Sequence, residues 1–251
     1  KKDFLFISAA DTNRAQTRQA FSVYKMYGRE PLYKYSLPWK TGVDIENFLT
    51  SLDWQKPWHA GSHLSHILFF LDFSRSLQKK EMVNSMITFL DSIYHTDDGC
   101  WYTGNPPIQE KINGAMKIIT GLSVIKKLDC IKNPEKLVDV SLGGLQGRQA
   151  CDYFNILYVL KHSHDVISHE YRKKEIYKFV YQQFIDYKKH YYPEISGFSF
   201  KLHQASRGYY GAFLTKGRDE PDIHGTLMFL WVLALIEQIL GGQRQLTDFI
   251  T

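Results

Sequence analysis

Cysteine is scarce in this chain. Cys100, Cys130 and Cys151 are the only three in 251 residues, too few and too scattered for a disulfide framework or a structural zinc knuckle. They fit a reducing compartment, and a cytoplasmic location is the expectation. Long apolar runs are missing as well. The longest uncharged one, Leu227 to Ile236, is about half of a membrane-spanning length and stops at Glu237, so no span is expected. The opening KKDFLFISAAD breaks its apolar patch at Asp3 and makes a poor signal peptide, and a first residue other than Met points to a trimmed or processed chain. There is no Walker A loop, no dinucleotide fingerprint behind a strand and no G-x-S-x-G elbow, which excludes the corresponding nucleotide-binding and hydrolase classes. The glycine-rich run Gly143 to Gly147 joins two expected helices and lacks the strand a phosphate cradle requires. Charge of one sign is also modest: +5 over the whole chain permits an acidic partner without implying nucleic acid. The basic stretch Tyr171 to His190 reads as a solvated helix face, diluted by Glu175 and Asp186.

What the chain has in excess is aromatic. Trp, Tyr and Phe make up 15% of it, which rules out disorder. Strand-like alternation is nearly absent, while helical spacing recurs: Leu64, Ile67, Leu68 and Leu71, or Ile112, Met116, Ile119 and Leu122, each follow one face of a helix. Two kinds of helix are expected. Amphipathic, charged ones cover roughly 12–27, 43–53, 78–95, 134–142 and 166–190. Others are apolar on most sides and open with small residues, at Ala60-Gly61-Ser62, Asn113-Gly114-Ala115, Gln149-Ala150-Cys151 and His224-Gly225-Thr226. A helix apolar all round is buried, and one with a single apolar stripe covers it. The starts lie 53, 37 and 74 residues apart (Gly61, Gly114, Cys151, Gly225), a loose repeat of helical hairpins within one domain spanning 1–251. Each buried helix follows an aromatic and polar loop: DWQKPWHAGSH, DDGCWYTGNPP, GGLQGRQACDY and the long stretch from Gly197 to Thr226.

This pattern resembles the α/α toroid superfamily, in which helical hairpins form an inner and an outer ring. Its DGCWYTG and GFSF loops are similar to turns common in helical polysaccharide lyases and glycosidases and, more weakly, in terpenoid cyclases and protein prenyltransferase β-subunits. The resemblance implies an all-α toroid of four to six hairpins, complete or incomplete. It also implies a functional cavity where the inner helices begin. A concave site lined by flat aromatics, histidines, carboxylates and arginine suits a sugar or polysaccharide. A carbohydrate lyase or hydrolase is therefore the expected activity, with an isoprenoid-type enzyme or a non-catalytic helical scaffold as the alternatives.

Within that frame the residues take roles. His224, in the positive first turn of its helix, suits a neutral acid–base group, with Asp222 as its orienter or partner carboxylate and Asp98 opposing. Behind Pro221, Asp222 equally suits a helix cap. Trp58, Trp101 and Tyr210 are candidate stacking platforms, and Tyr102, Asp152, His203 and Arg207 are candidate contacts to the substrate. A lyase would draw its base and acid from the His203 to Tyr210 stretch, with Asn113 or Asn155 steadying a uronate carboxylate. A hydrolase would pair Asp97 or Asp98 with Asp152, Glu220 or Asp222. No cofactor is expected. If a metal were used it would be zinc: His59 and His63 sit one helical turn apart, and the prenyltransferase resemblance implies a site of Asp98, Cys100 and His224. His162 and His164 read as solvated surface on the far rim. Nothing in the sequence fixes an oligomeric state.

Overall fold

Almost every helical stripe in the sequence becomes a helix in the computed structural model, which describes residues 4–6, 11–29, 34–73, 77–144, 148–167, 170–209 and 211–241. The helices are α1 (Asp11–Met26), α2 (Gly42–Thr50), α3 (Pro57–Phe73), α4 (Lys79–Ser92), α5 (Ile108–Val124), α6 (Pro134–Leu142), α7 (Ala150–Asp165), α8 (Lys173–Tyr187) and α9 (Ile223–Leu240). The β-structure among the described residues is three two-stranded ladders of two or three residues per strand and three isolated bridges. The protein is all-α.

Local chemistry sets the helix ends. Thr41 and Asp44 form a reciprocal capping box at the start of α2, Pro134 occupies the first turn of α6, and Gly241 closes α9 in the left-handed region at φ 71°. The single long helix expected over 166–190 is shorter in the structure. Arg172 sits at φ 48°, which breaks the helical path, and α8 begins only at Lys173. The last residues, Lys188–His190, tighten into a 3-10 turn.

The two kinds of helix separate as their composition requires. Every residue from Ala60 to Leu71 of α3 is buried, whereas α2 buries Ile45 and Leu49, and α4 buries Met82, Met86 and Leu90. Each fully buried Leu or Ile contributes roughly 1.5–3 kcal/mol. The buried helices pack in chain order, α3 on α5, α5 on α7 and α7 on α9. Helix α4 covers α2 and touches α3, α6 lies over α5 and α7, α8 lies over α7 and α9, and α1 packs on α3.

Two glycines allow the closest approaches. A Cβ on Gly114 would lie 2.6 Å from Pro57 Cβ and 2.9 Å from its carbonyl carbon, so α5 meets the start of α3 with no room for a side chain. A Cβ on Gly225 would lie 2.5 Å from the Phe200 nitrogen. The sequence suggests that Gly225 admits another inner helix. In the structure it admits the extended segment 198–200 instead.

Helix α9 is long and apolar enough to cross a membrane, with a mean hydropathy of 1.7 over 18 residues, and 44% of that window is buried inside the protein. Its exposed side carries Ile223, Leu227 and Leu230. His162 and His164 are a correction to the sequence reading. His164 is 9% exposed, and burial pushes the His162 imidazole down to about 4.

Candidate functional site

The first turns of the four buried helices meet in sequence, so neighbouring helices run parallel with their N-termini at one end. Between α3 and α5, the Trp58 N–H donates to Glu110 Oε1 at 3.1 Å. Between α5 and α7, the Asn155 amide donates to Asn113 Oδ1 at 2.8 Å, and Gln109 donates to the same oxygen at 3.0 Å. The Asp152 carboxylate accepts from the Gln149 N–H at 3.3 Å and from the Asn113 side chain. Between α7 and α9, Cys151 Sγ lies 3.8 Å from His224 Nε2. A continuous polar seam therefore runs across four helix starts.

The electrostatics of the seam follow from its burial. Burial raises the Glu110 carboxyl above its ordinary value, opposed by the Trp58 N–H and reinforced by the charge of Asp152. Burial raises Asp152 as well, opposed by the hydrogen bonds from Gln149 and Asn113. Two carboxyls at the third position of adjacent parallel helices are thus both held toward their protonated form. His59 stands close enough to Glu110 for its charge to oppose that shift.

At the α9 end the capping role of Asp222 is fully realised. The residue is 6% exposed; its Oδ1 accepts from Gly225 N at 2.8 Å, and its Oδ2 accepts from Phe200 N at 2.8 Å and Ser206 N at 3.0 Å. One carboxylate thereby fastens the 198–206 loop to the helix it caps. His224 sits on that platform. Its ring stacks on Phe200 at 4.4 Å, meets the edge of Tyr209 at 4.6 Å and places Nδ1 3.4 Å from Ser206 Oγ. Burial lowers its pKa, with the charge of Asp222 opposing. The Tyr209 hydroxyl in turn accepts from Gln19 Nε2 of α1 at 2.9 Å.

The remaining expected residues disperse. Asp98 turns inward within its own loop, where its carboxylate accepts from Cys100 N at 3.0 Å, the Tyr102 hydroxyl at 2.9 Å and Lys111 Nζ at 3.0 Å. Trp101 is 2% exposed and packs against Tyr94, while Tyr102 is 7% exposed and stacks on His95 at 3.8 Å. Both rings are therefore spent on packing within the protein. Trp58 is partly exposed at the seam. His203 is exposed and pairs with Asp219 at 3.2 Å. Arg207 is exposed beside Gly217, and Tyr210 lies outside the described residues. His59 and His63 contact each other edge to face at 4.7 Å. Among the described residues no three His, Cys, Asp or Glu side chains are grouped to hold a metal ion. Asp98, Cys100 and His224 accordingly do not form the zinc site that the prenyltransferase resemblance implies.

Glu110 and Cys151 are among the seam residues to which the sequence assigns no role. Glu110 lies three residues before the Asn113-Gly114-Ala115 start, and the helix itself begins earlier, at Ile108. The local signal is Pro107, since proline is common at a helix start, and here it immediately precedes the first helical residue. Away from the seam, a surface groove of about 640 Å³ runs between α2 and α4, lined by Glu46, Thr50, Glu81, Ser85 and Phe89 among others. No family model matches the chain, and neither do curated proteins or solved structures.

Proposed function

We propose that this chain is a carbohydrate-active enzyme built as an α/α toroid, hydrolase- or lyase-like, working at the end where α3, α5, α7 and α9 begin. The single observation that carries this reading is the Glu110 and Asp152 pair: two carboxyls on adjacent parallel first turns, both raised by burial, beside the amides of Asn113 and Asn155. Proton transfer to and from a sugar calls for paired carboxyls, and burial moves both of these toward the protonated form that an acid needs. Amides flanking the pair supply directional contacts to hydroxyls or to a uronate carboxylate. Trp58, partly exposed on the next helix start, supplies an apolar face. In this reading His224 is a further acid–base group, uncharged at neutral pH, and Asp222 acts by fixing the turn that carries it.

The test is a panel of neutral and uronate-containing polysaccharides, assayed both for new reducing ends (hydrolysis) and for unsaturated uronate absorbance (elimination). Glu110→Gln is expected to lower turnover roughly 10²–10⁴-fold while leaving far-UV circular dichroism unchanged. If the wild-type protein neither cleaves nor binds any member of the panel, or if Glu110→Gln cleaves as well as wild type, the carbohydrate assignment is wrong.

A further inference from the structure

The carboxyl and amide network does not use Cys151. Cys151 occupies the second position of α7 and is half-buried as a residue, unlike the fully buried Cys100. Its neighbour at 3.8 Å is His224 Nε2, and the other ring nitrogen faces Ser206 Oγ at 3.4 Å. The imidazole is held between Phe200 and Tyr209, so its two nitrogens stay directed at the thiol and the hydroxyl. Thiol, imidazole and an orienting oxygen in line are the parts of an activated nucleophile. Cys130, the third cysteine, has no imidazole partner among the described residues.

We propose that Cys151 is an acyl-accepting nucleophile and His224 its general base, acting on carboxylic esters or thioesters. In the acylation step, Sγ bonds to the carbonyl carbon, the thiol proton passes to Nε2, the carbon–oxygen or carbon–sulfur bond to the leaving group breaks, and Nε2 returns the proton to that group. Water then gives a proton to Nε2 as its oxygen bonds to the thioester carbon, the carbon–sulfur bond breaks, and Nε2 returns the proton to Sγ, releasing the acid and restoring the thiol. Burial pushes the thiol up to about 12 and the imidazole below its ordinary value, so the resting pair is uncharged and the proton moves only within the step. Lys117 and Asp152 face the thiol with opposite effects, and Asp222 faces the imidazole. This inference goes beyond the carbohydrate reading and does not rest on it.

The experiment uses p-nitrophenyl acetate and the whole chain. Wild type is expected to release a burst of about one equivalent of p-nitrophenolate, with peptide mapping placing the acetyl group on Cys151. Cys151→Ala is expected to abolish the burst and Cys130→Ser to leave it unchanged. His224→Ala should slow acylation roughly 10²-fold or more, with recovery on adding free imidazole. Mapping of the wild-type protein needs no variant and so stands even if a substitution unfolds the chain. Acetyl groups on lysines only, a burst that survives Cys151→Ala, or acylation indifferent to His224 would overturn the proposal. Polysaccharide cleavage is read separately through Glu110→Gln, so a failed acylation test leaves that reading standing.

Discussion

The two ends of the polar seam are built by opposite rules. Around α3 and α5, the DGCWYTG loop spends its polar groups on itself: Asp98 is shared by Tyr102, Lys111 and the Cys100 N–H, and Trp101 is sealed in the core. Around α7 and α9, one carboxylate, Asp222, does the fastening, and it leaves the neighbouring imidazole and thiol half-buried and in reach of each other. Both loops are rich in aromatic and ionisable residues. What separates them is how many side-chain groups the backbone consumes. Chemistry is therefore to be sought where a loop is anchored by few side chains rather than by all of them.

That contrast can be broken or sharpened by substitution. The largest effect is expected from Trp101→Ala, which empties a core position and should cost about 3–5 kcal/mol in denaturant unfolding, whereas Trp58→Ala at the seam should cost well under half of that. Trp58→Ala costing as much as Trp101→Ala would erase the distinction between consumed and available aromatics. Next comes Gly225→Val, whose Cβ would meet the backbone of residues 198–200; a loss of about 3 kcal/mol in thermal stability is expected. Asp222→Ala strands three backbone donors and should cost about 2–3 kcal/mol, with Asp222→Asn recovering a measurable part. Acid should then weaken the fold through α7. The folded protein holds His162 neutral down to about 4, while the unfolded chain binds a proton near the ordinary histidine value. Stability is therefore lost as pH falls below that ordinary value, by about 2 kcal/mol between pH 7 and pH 5, and His162→Gln should flatten this part of the profile. The smallest effect belongs to His203→Ala, an exposed pair with Asp219 that should change stability by less than about 0.5 kcal/mol.

Much of the fold was legible in the sequence because burial writes a plain code. The apolar faces of α3, α5, α7 and α9 and the stripes of their covering helices follow from 3.6-residue spacing, and α6 occupies the expected residues 134–142. The site was legible only in part. His224 at a helix start beside a capping Asp222 could be read from Pro221-Asp222-Ile223-His224, since capping is local chemistry. The pairings of Glu110 with Trp58, and of Cys151 with His224, span 52 and 73 residues and depend on how helices line up side by side. No spacing rule carries that information. His162 and His164 show the converse, since a polar residue near a helix end reads as solvated until a neighbouring helix is seen to cover it. Loop aromatics mislead for the same reason: Trp101 and Trp58 look alike in sequence, and only the packing of the turn around Tyr94 tells them apart.

The fastening of α7 to a segment far along the chain has a consequence for the order of folding. The Ala150 N–H meets the carbonyl of Phe200, and the α9 cap holds that same segment through the Phe200 N–H. The helices between α3 and α7 can pair as each neighbour is made. The thiol and imidazole, in contrast, can meet only after α8, its following turn and the whole 197–222 crossing are in place. Long-range closures of this kind form late, because their loop entropy must be lost before any contact repays it. Cys151 thus doubles as a timer of assembly. A thiol-reactive label pulsed during refolding should find it open after the α3–α5 amides are already protected from hydrogen exchange, and the same corner should be the first to open on warming.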